Sequence, residues 1–262
     1  MNKSLVKYMI FDLAVLATIG CILEGLTSRF IGFALDAAPT VTFSILIMFV
    51  AVARWKAYGL IVAPLLVFSM LLGGHFSDIP YYRALYSFSN WQLYLSTLIG
   101  LVLAFSVNLI FFQKQRTNKL LSVWWKMVLI LLLDYGIYCI IQFLLYRLFT
   151  TGSLTSIANI EFTYNIIADG GELKPQTVNL ALYVEKGFVY NTFGLIVAFI
   201  GCLVLRSQGV LNNAIEKLID DKKEREIELE YLKNAGNLNW GDQEDSTDKD
   251  ESNIHEDLSE KK

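Results

Sequence analysis

The sequence predicts an all-α integral membrane protein with six transmembrane helices, an external segment and a cytoplasmic C-terminal helix. Three observations carry that prediction. The chain is 54% hydrophobic with a mean hydropathy of +0.44, and only 18% of it is charged, against about a quarter in soluble domains. Six apolar stretches approach the roughly 17–25 residues that a bilayer core requires. Lysine and arginine gather at alternate ends of those stretches, as the positive-inside rule expects.

The stretches are 8–27, 38–53, 57–74, 90–112, 122–148 and 187–205. The first follows Lys3 and Lys7 but lacks a small-x-small cleavage site with a polar mature start, so it reads as a retained helix. Pro39 suits the first turn of the second span, and Pro64 predicts a kink in the third. Lys3, Lys7, Arg54, Lys56, Lys114, Arg116, Lys119 and Arg206 fall on one side. Arg29, Arg83, Arg147, Lys174 and Lys186 lie on the other, mixed with acidic residues. Both termini are therefore expected in the cytoplasm, and the chain in a plasma membrane, with lipid as its first partner.

The sequence divides into a membrane domain over 1–206, a cytoplasmic helix over 207–235 and an acidic tail over 236–262. In the external segment 150–186, IEFTYNII (160–167) and TVNLALYV (177–184) alternate apolar and polar residues around ADGGELKPQ. This reads either as a β-hairpin over the outer face or as a loosely ordered insertion. Leu211, Ile215, Leu218, Leu229 and Leu232 recur at helical spacing beyond the last span. Residues 236–262 hold nine acidic side chains against three lysines, a net of −6, and are too polar to bury a core.

Polar residues inside the spans cluster by depth. Glu24 and Arg29 end the first span on the outside, His75 ends the third, and Trp91 and Gln92 begin the fourth. Asp134, Tyr138 and Gln142 lie at four-residue intervals in the fifth, and Tyr190 and Asn191 open the sixth. An ionisable group at membrane depth is a functional hypothesis by default, so these ten residues are the candidate solute-binding set. They suggest an outward-open cavity with a few placed polar groups. The same residues also suit an interfacial aromatic belt or hydrogen bonds between helices.

No phosphate loop, H-E-x-x-H, G-x-S-x-G or Cys-His cluster occurs, so no enzyme, metal centre or cofactor is expected. No basic, aromatic-rich surface suggests nucleic acid. Cys21, Cys139 and Cys202 fall inside apolar runs and read as packing residues.

AVLATIGC (14–21) presents Ala14, Ala17, Thr18 and Cys21 as small residues on the first span. It resembles the helix face by which substrate-binding subunits (S components) of energy-coupling factor vitamin transporters meet their membrane coupling subunit. The stretch 28–66 is similar to that family's first loop, second span and glycine-containing turn into the third. The resemblance implies a six-helix subunit with an outward pocket for a small vitamin-like solute, a coupling subunit at that small-residue face, and two separate ATPase subunits. A second architecture fits as well: a non-transporting membrane scaffold resembling rod-shape-determining proteins of the MreD type, which would use the external segment and the tail.

Overall fold

The structure, a computed structural model, describes residues 3–34, 41–77, 80–114, 117–154, 159–167, 171–211, 216 and 222–231. It comprises two units, Met1–Glu216 and Lys217–Lys262. In the second, 222–231 is helical, and Lys222 Nζ lies 3.6 Å from Glu226 Oε1 one turn on. The acidic tail and Pro39 lie outside the described residues.

The first unit is mostly helical. Among the described residues, five helical stretches are long and apolar enough to cross a membrane: Leu5–Phe30, Ser44–His75, Trp91–Phe112, Trp124–Thr151 and Leu180–Ser207. Phe11, Ile22, Phe68, Ile140 and Ile200 are exposed on them. An apolar perimeter of this kind is consistent with a multi-pass membrane protein.

Helix α1 (Lys3–Ala34) is followed by α2 (Ser44–Trp55), a 3₁₀ segment (Lys56–Val62) and α3 (Ala63–His75). Every residue of α2 except Arg54 is buried. A helix apolar on all sides must be enclosed, and α2 accordingly forms the centre of the unit, packed by α1, α9 (Thr192–Ser207) and α5 (Trp91–Lys114). At its end Lys56 adopts φ 53°, and the chain turns back. A Cβ on Gly59 would fall 2.4 Å from the Ala51 carbonyl, so no side chain fits where the 3₁₀ segment recrosses α2. The Ser44–His75 stretch is therefore a hairpin, not a rod. Pro64 sits in the first turn of α3 and produces no kink, because its missing N–H is one that a helix start leaves unbonded anyway.

Glycine and serine set the next contact. A Cβ on Gly73 would lie 2.1 Å from the Gly25 carbonyl oxygen, and one on Gly25 would lie 2.9 Å from Ser69 Oγ. Ser69 Oγ donates to the Cys21 carbonyl, and Cys21 Sγ donates to the Leu65 carbonyl at 3.3 Å. These pairs advance together along both chains, so α1 and α3 run parallel at near backbone contact, the geometry that small residues permit.

The remaining pairings also fix direction. Asn108–Asp134 and Thr97–Gln142 make α5 antiparallel to α7 (Trp124–Thr151). Tyr135–Thr192 and Ser122–Arg206 make α9 antiparallel to α7. Gly194 against Val41 and Thr42, with Gly201 against Leu46, makes α9 parallel to α2. Two short helices, α4 (Pro80–Leu85) and α6 (Thr117–Leu121), fill turns at opposite ends. Neither was expected from the sequence.

The segment 150–186 contains an antiparallel pair, β1 (Glu161–Ile167) and β2 (Leu173–Asn179), in register Glu161↔Asn179 through Ile167↔Leu173. The first strand falls where the alternation placed it; the second corrects the reading of 177–184. Asn179 ends β2 and caps α8 (Leu180–Tyr190), its side-chain oxygen accepting from the Leu182 amide at 3.1 Å. NLALYV is therefore mainly helix, because a capping asparagine outweighs the β-forming character of the residues after it.

Candidate functional site

The candidate residues divide by what their polar atoms meet. Glu24 is 1% exposed, and its carboxylate is fully engaged. It accepts from the amides of Thr42 at 2.9 Å, Phe43 at 2.7 Å and Ser44 at 2.7 Å, and from the Ser44 hydroxyl at 2.9 Å. Those amides are unbonded donors at the start of α2, and a carboxylate there also meets the positive end of the helix dipole. Asn191 is buried too, and its side-chain oxygen accepts from the Val41 amide at 3.4 Å. Glu24 and Asn191, both in the expected solute-binding set, hold the entry to α2 in this structure.

The α5–α7 seam takes up the next group. Asp134, Tyr138 and Gln142 are all fully buried. Asn108 Nδ2 donates to Asp134 Oδ2 at 2.7 Å. Gln142 Nε2 donates to Thr97 Oγ1 at 2.6 Å, and that hydroxyl donates onward to the Leu93 carbonyl at 2.7 Å. The ring of Tyr138 fits against Gly100, where a Cβ would come within 3.3 Å of it. The four-residue spacing that singled these residues out marks the face of α7 that meets α5.

What remains lies at the C-terminal end of α3 and the N-terminal end of α5. His75 is half-buried, with its ring centroid 5.4 Å from Phe76 and 5.9 Å from Phe88. Trp91 is exposed and packs 5.8 Å from Phe149; Gln92 is half-buried. His75 Nδ1 and Tyr94 Oη are buried and have no hydrogen-bond partner among the described residues. Burial pushes the nearby Tyr86 phenol up from its ordinary pKa, and the Glu24 charge adds to that shift. Arg29 stays exposed, its guanidinium 5.6 Å from the Phe30 ring. The Tyr190 side chain lies outside the described residues.

Three apolar grooves are lined by described residues. One of about 350 Å³ runs between α3 and α5, with Phe68, Leu71, Trp91 and Tyr94 in its wall. One of about 440 Å³ lies between α1 and the 3₁₀ segment, bounded by Ala14, Ala17, Tyr58 and Ile61. The third, about 340 Å³, separates α7 from α9. None of the three has Asp134, Tyr138 or Gln142 in its wall.

The small-residue face of α1 is also divided. Ala17 is buried and Cys21 bonds into the α1–α3 seam, so Cys21 is occupied within the chain. Ala14 and Thr18 stay exposed, the Thr18 hydroxyl donating back to the Ala14 carbonyl at 2.8 Å.

At the opposite end the structure assembles a cluster that the sequence reading passed over. Arg54 grips Asp12 in bidentate fashion, Nε to Oδ2 at 2.8 Å and Nη2 to Oδ1 at 3.1 Å, and donates to the Val210 carbonyl at 2.7 Å. Trp55 Nε1 donates to Asp12 Oδ2 at 2.5 Å. Glu216 Oε1 accepts from the Thr117 amide at 2.9 Å and lies 3.6 Å from Lys56 Nζ. Asp12 stands near the start of the first apolar stretch and Arg54 just past the end of the second, which puts both at one end of neighbouring antiparallel helices and is the signal that would have paired them. At the C-terminal end of α7 Arg147 pairs with Glu185 at 2.9 Å while stacking 4.5 Å from the Phe143 ring. No family model matches the chain, and neither a curated protein nor a solved structure is similar to it.

Proposed function

We propose that the chain is the solute-binding subunit of a membrane uptake system, crossing a plasma membrane six times with both ends in the cytoplasm. In this reading separate ATPases drive it through a membrane coupling subunit, and the solute is small, vitamin-like and mainly apolar, with at least one hydrogen-bonding group. The observation that carries the reading is the unpartnered Tyr94 Oη, buried where α3 and α5 enclose an apolar groove flanked by Trp91. A polar atom left unbonded in an apolar surround costs free energy unless something meets it, and a ligand that stacks on indole and bonds to phenol does so. His75 and Gln92 lie at the same end as further contacts. The hairpin at Lys56 supports six crossings, since α2 and α3 then run in opposite directions.

The test is a gentle-detergent pull-down of the tagged chain from its native membrane. Recovery of a second membrane protein with two ATPases supports uptake; recovery of envelope-synthesis or division proteins without an ATPase supports the second reading, a membrane scaffold. One observation favours that alternative. Ile166, Ile167 and Leu173 are exposed together at the end of the β1–β2 pair, an apolar surface that solute binding does not require.

A further inference from the structure

Asp134 and Asn108 leave an imbalance in the middle of the bundle. Both side chains are fully buried and they share one hydrogen bond, Asn108 Nδ2 to Asp134 Oδ2 at 2.7 Å. The other oxygen of each, Asp134 Oδ1 and Asn108 Oδ1, is buried without a partner among the described residues. An ionised aspartate is an acceptor only, so it cannot satisfy the amide oxygen, and that oxygen, itself an acceptor, has no proton to offer Asp134 Oδ1. Two acceptors then stay orphaned in an apolar interior, next to a full negative charge.

Among the described residues the surroundings supply no counter-charge. Of the elements packed against α7, α5 presents Asn108 to Asp134, and α9 presents the buried thiol of Cys202. On α7 itself Lys126 lies eight residues away and Arg147 thirteen, roughly 12 and 20 Å along a helix axis. Arg147 is paired with Glu185 on α8, and Arg206 on α9 donates to the Ser122 carbonyl at the end of the bundle. On α6, the Thr117 amide is bonded to Glu216, and the Lys119 side chain lies outside the described residues. The described aspartate–arginine pair is elsewhere, at Asp12 and Arg54.

A single proton removes the imbalance. Placed on Asp134 Oδ1, it supplies the one donor that both orphaned oxygens lack, turning one hydrogen bond into the two of an acid–amide pair and cancelling the buried charge. We propose that Asp134 and Asn108 form a proton-binding site, occupied in the resting protein, whose neutral acid–amide pair joins α5 to α7. The site does not rest on the uptake reading. It also answers why an aspartate is tolerated in so apolar a helix: it is carried there as the acid.

Infrared spectroscopy of the full-length protein in lipid vesicles at pH 7, with aspartate carboxyl groups labelled with carbon-13, reads the proton directly, since an ordinary aspartate is ionised there. The expected result is a protonated-carboxyl band that moves with the label, is lost in Asp134→Asn and is displaced in Asn108→Ala. Carboxylate bands alone in the labelled wild-type protein overturn the proposal, and this comparison needs no variant to fold. A label-sensitive acid band that survives Asp134→Asn overturns it as well, because another aspartate then holds the proton. A band unmoved by Asn108→Ala overturns the pairing.

Discussion

Glu24 Oε2 lies 2.7 Å from the Ser44 amide nitrogen and 2.9 Å from the Ser44 hydroxyl, so a carboxylate from α1 serves as the cap of α2. The cap comes from twenty residues earlier in the chain, on a different helix. Because α2 is enclosed on all sides, its first-turn amides have no water to turn to. The buried acid on α1 is what makes a buried helix start affordable.

Replacing Glu24 with alanine is expected to cost at least about 3 kcal/mol, since three amides and a hydroxyl lose their acceptor together and an unsatisfied buried group costs about 1–3 kcal/mol. Glutamine keeps one acceptor oxygen but turns an NH₂ toward amides that also donate, so it is expected to fall between alanine and wild type. Thermal unfolding in detergent ranks the three, and hydrogen exchange at residues 42–46 locates the loss. Equal melting of all three proteins contradicts the capping role.

Two glycines in the spans should respond in opposite directions. A Cβ on Gly73 meets the Gly25 backbone at 2.1 Å, and neither chain has a flexible side chain to move aside. Gly73→Ala is therefore expected to push α1 from α3 at a cost of about 1–3 kcal/mol, as overpacking does. A Cβ on Gly136 meets nothing within 4 Å, so Gly136→Ala should gain about 0.5–1 kcal/mol of helix stability. Melting temperatures of the two variants test both signs in one experiment.

That several helices are apolar enough to cross a membrane was legible in the sequence because hydropathy is a local property: each apolar run reports its own length. The first strand was legible for the same reason, from its period of two. Glu24 was not legible, because its partners, Thr42, Phe43 and Ser44, are joined to it only by the fold. Asp134 and Gln142 stand out in the sequence as polar groups in an apolar run, but the sequence does not show that Asn108 and Thr97 face them across the α5–α7 seam. A shared depth narrows the partners of a buried polar group; it does not separate a cavity wall from a helix interface. The reversal at Lys56 was visible as a break between two apolar runs, whereas its tightness depends on Gly59 lying against Ala51.

Tyr94 and Gln142 separate binding from scaffolding. Tyr94→Phe removes a hydroxyl that bonds nothing among the described residues, so it should leave melting unchanged or slightly raised. If a solute bonds to that hydroxyl, its affinity should drop about tenfold, the equivalent of about 1.4 kcal/mol. Gln142→Leu breaks the bond to Thr97 inside the seam and should lower stability by about 1–3 kcal/mol while leaving affinity in place. Paired melting and solute-binding measurements on the two variants check the split. The reverse pattern moves the site from the α3–α5 groove into the α5–α7 seam.

The cytoplasm-facing end, in the proposed orientation, determines where the C-terminal region can be removed. Arg54 binds Asp12 and the Val210 carbonyl together, and Glu216 bonds the Thr117 amide beside Lys56, so the chain just past α9 belongs to the bundle. Deleting 207–262 takes Val210 and Glu216 with it. That leaves the buried Thr117 amide without its acceptor and reduces the Arg54 fork to its carboxylate half, at an expected cost of about 2–4 kcal/mol. Deleting 217–262 keeps both bonds and should leave the melting temperature within about 3 °C of the full chain. Arg54→Lys mimics part of the first loss, because an ammonium cannot reproduce a two-pronged grip on Asp12 while reaching Val210. A 217–262 deletion that melts as low as the longer one would show that the stability resides beyond Glu216. The staple between Arg54, Asp12 and Val210 would then be a consequence of the fold and not one of its causes.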